Sequence, residues 1–169
     1  MGISITKGDL IHARADAVVH VVSHSVLSGG ADSEFYQAAG PELYRACTML
    51  GICLTGEAKI TEAYKLPAKF VIHTHAPVWL GGTHNEAALL AKCYESCLKL
   101  ADENQCDSIA FPPISTGSYR CPPEKAASIA MEAIAKFLRT SQYLQDVLII
   151  CKEDSLCAAF AKRLEALEN

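Results

Sequence analysis

A chain of 169 residues, half of them hydrophobic and a fifth charged, has the size and make-up of one globular domain spanning 1–169. With a net charge of −4, no overall basic field draws in nucleic acid, which excludes non-specific nucleic-acid binding. No apolar run is long enough to span a bilayer, and MGISITKGDL lacks the apolar centre of a secretory leader, so a cytoplasmic protein with no membrane partner is expected.

The first predicted strand is Ile3–Thr6, followed by GDL at 8–10, where Asp9 reads as a turn aspartate. The apolar run Ala17–Val22 is the second, and it leads into SHSVLSGGAD at 23–32. Strand, glycines and helix start is the order in which a chain offers main-chain N–H groups to an anion. On residue type alone, however, Asp32 is also a good helix N-cap. Short helices follow within Ser33–Ala39 and Pro41–Leu50, then strands at Glu57–Ile60 and Phe70–Thr74. Asn85–Glu103 places Leu90, Cys93, Tyr94, Cys97 and Ala101 on one helical stripe. After a strand at Ser108–Phe111, Pro122–Arg139 starts a helix on prolines and buries Ala126, Ile129, Ala133 and Phe137. A strand at Val147–Cys151 and a helix at about Ser155–Leu167, burying Leu156, Phe160 and Leu164, end the chain. Strands separated by helices imply a sheet covered on both faces, a three-layer α/β/α sandwich. Ligands of such sheets sit beyond the carboxyl ends of strands. Ser23–Asp32 and Pro112–Tyr119 are therefore candidate walls of one site.

Eight cysteines raise the question of a metal. They contain no C-x-x-C pair and no zinc-finger spacing, so buried free thiols are expected, with no metal and no cofactor. Gly51 and Gly56 have the spacing of a phosphate loop, but Glu57 and Ala58 stand where Lys and Ser/Thr belong. A glutamate cannot neutralise a triphosphate, so an NTPase is excluded. His73 and His75 lie two apart on a strand and share a face, a weak candidate for a catalytic pair; His20 and His24 read as loop or core residues.

In SIAFPPISTGSYRCPPEKAA at 108–127 a buried strand runs through a proline turn into Ser115, Thr116 and Gly117, then Tyr119 and a new helix. Small residues let main-chain N–H groups approach a diphosphate, and an aromatic can cover a sugar. With ITKGDL (5–10), ADAVV (15–19), AAGPEL (38–43) and TGEAKITEAYKLPAKFVIHT (55–74), this stretch resembles the macro domain, the ADP-ribose-binding module, along nearly the whole chain. The likeness is greatest to the branch that removes ADP-ribose from carboxylates or deacetylates O-acetyl-ADP-ribose.

The resemblance implies a central mixed, mostly parallel sheet. It implies that Asp9, beside Leu10, accepts the adenine amine. A first phosphate loop is formed by Gly29, Gly30 and Ala31 up to Asp32, and a second by Ser115, Thr116, Gly117, Ser118 and Tyr119. Asp32 carries the acid/base role, and Ser23 faces the distal ribose. ADP-ribose or a derivative is the implied ligand, with ADP-ribosylated proteins as partners. Several positions depart from the pattern. Ser23 replaces an asparagine, and a hydroxyl is shorter than a carboxamide and offers one donor instead of two. The first loop is one glycine short, and Glu34 adds a negative charge near the phosphates. Arg120 stands in place of a glycine, and Cys151 where some relatives stack an aromatic on adenine. Three readings follow: hydrolysis of ADP-ribose ester linkages, ADP-ribose binding without turnover, and a macro domain whose rebuilt cleft takes something else.

Overall fold

The computed structural model describes residues 2–22 and 34–168. Its strands are β1 (Gly2–Lys7), β2 (Ala17–Val22), β3 (Ala58–Glu62), β4 (Phe70–His75), β5 (Ser108–Phe111) and β6 (Asp146–Cys151). They form one sheet in the order β1-β6-β5-β2-β4-β3. Neighbours run parallel except β3 and β4, which are antiparallel. The exception follows from the connection. Only residues 63–69 join β3 to β4, and they fold back through Ala63 N–H donating to the Lys69 carbonyl at 3.0 Å. Parallel neighbours need a longer crossover. The sheet is mixed and mostly parallel, as the resemblance implies.

The helices are α1 (Glu34–Ala39), α2 (Pro41–Thr48), α3 (Glu86–Glu103), α4 (Pro123–Leu138) and α5 (Asp154–Glu168). Alternation along β2 divides the interior. Ala17 and Val19 face a core built with α3, α4 and α5. Val18 and Val22 face a second one with α1 and α2. Five residues of α3, Leu90, Cys93, Tyr94, Cys97 and Ala101, are fully buried, as their spacing predicts. In α4 the expected Ala126 and Ala133 are buried, together with Ala130, Ile134 and Leu138, while the expected Ile129 and Phe137 are only partly so. The helix packs against both α3 and α5, so its apolar surface is split between two seams. All eight cysteines are free and only Cys157 is not buried.

Candidate functional site

Beyond the carboxyl ends of β1, β5 and β2 lies a cleft of about 440 Å³. Leu10, His20, Ser115, Thr116 and Tyr119 line it, with the Pro112–Ile114 turn between. This is where an open α/β sheet receives ligands. The structure thus brings together Leu10 and three residues of the predicted second loop. The predicted Ser23, Gly29, Gly30, Ala31 and Asp32, and His24, lie outside the described residues.

The second loop is held by main-chain carbonyls. Ser115 has φ +67 and Gly117 φ +66, left-handed conformations that serine rarely adopts and glycine adopts freely. The Ser115 hydroxyl donates to the Pro77 carbonyl at 2.7 Å, and the Thr116 hydroxyl to the Pro113 carbonyl at 2.7 Å. Both hydroxyls are therefore spent on main chain. The N–H groups of Ser115 and Gly117 have no acceptor among the described residues, an arrangement that suits an anionic oxygen. Gly117–Tyr119 is a single 3₁₀ turn. Arg120 ends it at φ +69, which accounts for the glycine in the family pattern: the position demands a left-handed backbone, and arginine meets it at a conformational cost. Its side chain is exposed and does not line the cleft.

Asp9 stands next to the cleft rather than in its lining. One carboxylate oxygen accepts from Ile11 N–H at 3.2 Å, capping a 3₁₀ turn at Leu10–His12. The other lies 3.6 Å from Lys152 Nζ, which is also 3.6 Å from Glu34. The turn role expected from residue type is present, and the second oxygen reaches an exposed cation that a ligand can displace. Cys151 is fully buried. Burial, then the adjoining Cys157 thiol, pushes its thiol up to about 12, so it is a core group and not a surface for adenine.

His73 and His75 do not pair with each other. Register sets His73 of β4 beside His20 of β2, with Nδ1 to Nδ1 at 3.2 Å. His73 Nε2 is 3.0 Å from the Thr61 hydroxyl, whereas His75 Nδ1 is 3.1 Å from that of Thr55. The His20 ring stacks on Phe35 at 4.5 Å between centroids. Burial lowers His20 to about 4. Burial and then the His20 charge lower His73 to about 3. Both imidazoles are neutral at pH 7, so the pair offers the cleft a hydrogen-bonding group and not a cation. His20 is the lining residue the sequence reading undervalued. Its signal was its place as fourth residue of a strand whose parallel neighbour also carries histidine fourth.

No group of three His, Cys, Asp or Glu among the described residues could hold a metal ion, and no described helix is long and apolar enough to cross a membrane.

The Macro domain family model matches residues 11–130. A macro domain-containing protein of Lactiplantibacillus plantarum is 44% identical over 169 residues, covering 99% of this chain and 98% of its own. An O-acetyl-ADP-ribose deacetylase of Salmonella gallinarum is 41% identical over 167 residues, covering 96% and 93%. Among solved structures, the Oceanobacillus iheyensis macrodomain with ADP superposes with a TM-score of 0.89 at 33% identity, over 97% of this chain and 90% of that one. The Trypanosoma brucei macrodomain in complex with ADP-ribose gives 0.86 at 34%, over 95% and 68%. The chain belongs to the Macro domain family.

Proposed function

We propose that this chain binds ADP-ribose in the cleft beyond β1, β5 and β2 and hydrolyses ADP-ribose ester linkages, on mono-ADP-ribosylated carboxylates or on O-acetyl-ADP-ribose. The observation that carries the reading is the second loop. Its Ser115 and Thr116 hydroxyls are engaged by main-chain carbonyls, and its Ser115 and Gly117 N–H groups have no described acceptor beside a cleft of about 440 Å³. That volume lies within the ordinary range for small-ligand sites, and main-chain donors without partners suit a diphosphate. The Salmonella relative named O-acetyl-ADP-ribose deacetylase supports the ester chemistry.

In this reading Asp9 accepts the adenine amine, and Ser115–Tyr119 with Gly29–Ala31 hold the diphosphate. Ser23 faces the distal ribose, and Asp32 acts as acid/base on a water. The reaction adds that water across the ester, releasing free carboxylate and ADP-ribose with its distal hydroxyl restored. The eight free thiols support a cytoplasmic setting. A single domain over 1–169 is all the reading requires.

The second reading is an ADP-ribose binder without turnover, favoured by Ser23 in place of the asparagine. Calorimetry with ADP-ribose and release assays on both substrates decide between them. Asp32→Ala should lower turnover about a hundredfold or more, the scale of a positioned acid/base group, and weaken binding less. Ser23→Asn should raise activity if the distal-ribose contact limits the rate. Binding without release, and an Asp32→Ala effect on stability alone, leaves the binder. No binding at all removes both readings.

A further inference from the structure

We propose that Glu86 is a positioning residue for the ligand: through the 77–86 loop it sets the conformation of the 115–120 loop that faces the cleft. The inference rests on the ADP-ribose reading above and names a group outside the cleft lining on which that binding depends.

Glu86 opens α3 and is 2% exposed. Its carboxylate accepts main-chain N–H bonds from Leu80 at 2.7 Å, from Gly82 at 2.9 Å and from His84. Three donors on one buried carboxylate fold residues 80–84 back onto the helix start. The preceding residue, Asn85, has φ +64 and makes no side-chain cap, so the loop's N–H groups depend on Glu86. Charged acceptors make the stronger hydrogen bonds, and three of them fix a segment far better than one.

The other end of the same loop grips the candidate phosphate loop twice. The buried Pro77 carbonyl accepts from the Ser115 hydroxyl at 2.7 Å, and Trp79 N–H donates to the Tyr119 carbonyl at 2.7 Å. Both partners line the cleft. Ser115 sits at φ +67, a conformation that persists only when its surroundings impose it, and the Pro77 contact is part of that imposition. Between the two ends the Trp79 ring lies so near Gly82 that a Cβ there would stand 3.1 Å from its Cζ2. Trp79 and Tyr119 both pack against the α3/α4 core. A change at Glu86 is thereby transmitted through Trp79 and Pro77 to Ser115 and Tyr119 without any contact of Glu86 with the cleft.

The test is Glu86→Gln, which keeps the size but turns one acceptor into an NH₂ that opposes N–H donors. In the ligand-free protein, the amide NMR signals of Ser115, Gly117 and Tyr119 should move, and the emission of Trp79, the chain's single tryptophan, should shift. The Kd for ADP-ribose should rise about tenfold, the scale of one lost charge-assisted hydrogen bond. A merely structural role would lower the melting temperature and leave those amide signals and the Kd in place. That result overturns the proposal. If Glu86→Gln does not fold, Gly82→Ala, which presses a methyl on Trp79, should give the same two changes, and its failure to do so overturns the proposal equally. Wild-type protein that binds no ADP-ribose sinks the ligand reading, whereas unmoved amide signals in the ligand-free variant sink the link between the loops.

Discussion

Gly117 pairs a left-handed backbone with open space: φ is +66, and a Cβ added there would meet nothing within 4 Å. Any side chain at this position therefore carries a backbone cost of about 1 kcal/mol, the usual difference between glycine and alanine there, with no clash to add. That separates strain from occupancy. Gly117→Ala should keep the fold and most of the ADP-ribose affinity. Gly117→Glu carries the same strain and adds a carboxylate beside the loop N–H groups that have no acceptor among the described residues, where it competes with and repels a diphosphate. It should abolish binding in calorimetry while its circular dichroism matches that of the alanine variant. Wild-type affinity in a folded Gly117→Glu protein would take the 115–119 loop out of the ligand site.

At the scale of elements, strand register does what no single strand can. Pairing Ala17 with Phe70 carries His20 alongside His73, and the helical layer covers both rings. Their neutral state has a consequence for acid stability. The unfolded chain binds a proton on each imidazole below about 6.5, the ordinary histidine value, whereas the folded chain resists until about 4 and about 3. Between these limits the unfolded state holds more protons, so stability is full above about 6.5 and is lost as pH falls toward 4. Glu86 changes in a different window. Burial raises its carboxyl, but the N–H bonds from Glu86 itself, Leu80, Gly82 and His84 outweigh that and draw it from 4.5 to about 2. Its stabilising effect is thus lost only below 4.5. Denaturant melts between pH 6.5 and 4.5 should show stability rising with pH, and His73→Gln should flatten that slope. An equal slope in the variant would show that His73 titrates alike in both states.

The same pairing marks what was legible beforehand. β2 and β5 fall on the spans read from apolar runs. β3 runs on to Glu62 because antiparallel pairing with Phe70 extends it past its apolar stretch. The His20–His73 contact depends on register between strands 53 residues apart, and the Ser115–Pro77 bond joins loops 38 residues apart. Local pattern encodes neither. Arg120 departs from the glycine of the family pattern, and its φ of +69 is the backbone that such a glycine supplies.

For the molecule as a whole, net charge and site chemistry pull in opposite directions. The chain is at −4 and the proposed ligand carries a diphosphate, so binding must come from local donors that overcome the general field. Among the described residues, the cleft lining comes from separate parts of the chain, Leu10 after β1, Val19–Val21 on β2 and the loop after β5. Only the folded sheet brings them together, and the unfolded chain has no such site. A ligand that binds the native state alone stabilises it by mass action, by about 2.7 kcal/mol at a hundredfold excess over Kd. ADP-ribose should accordingly raise the melting temperature in a concentration-dependent way. Adenosine keeps the base and one ribose but lacks the diphosphate, and with it the charge-assisted bonds to main-chain N–H groups, so at equal concentration its shift should be much smaller. Equal shifts from the two would place the binding energy on the base and leave the 115–119 loop without a role. No shift from ADP-ribose at millimolar concentration would remove this chain from the ADP-ribose binders despite its fold, since the same fold can carry a rebuilt site.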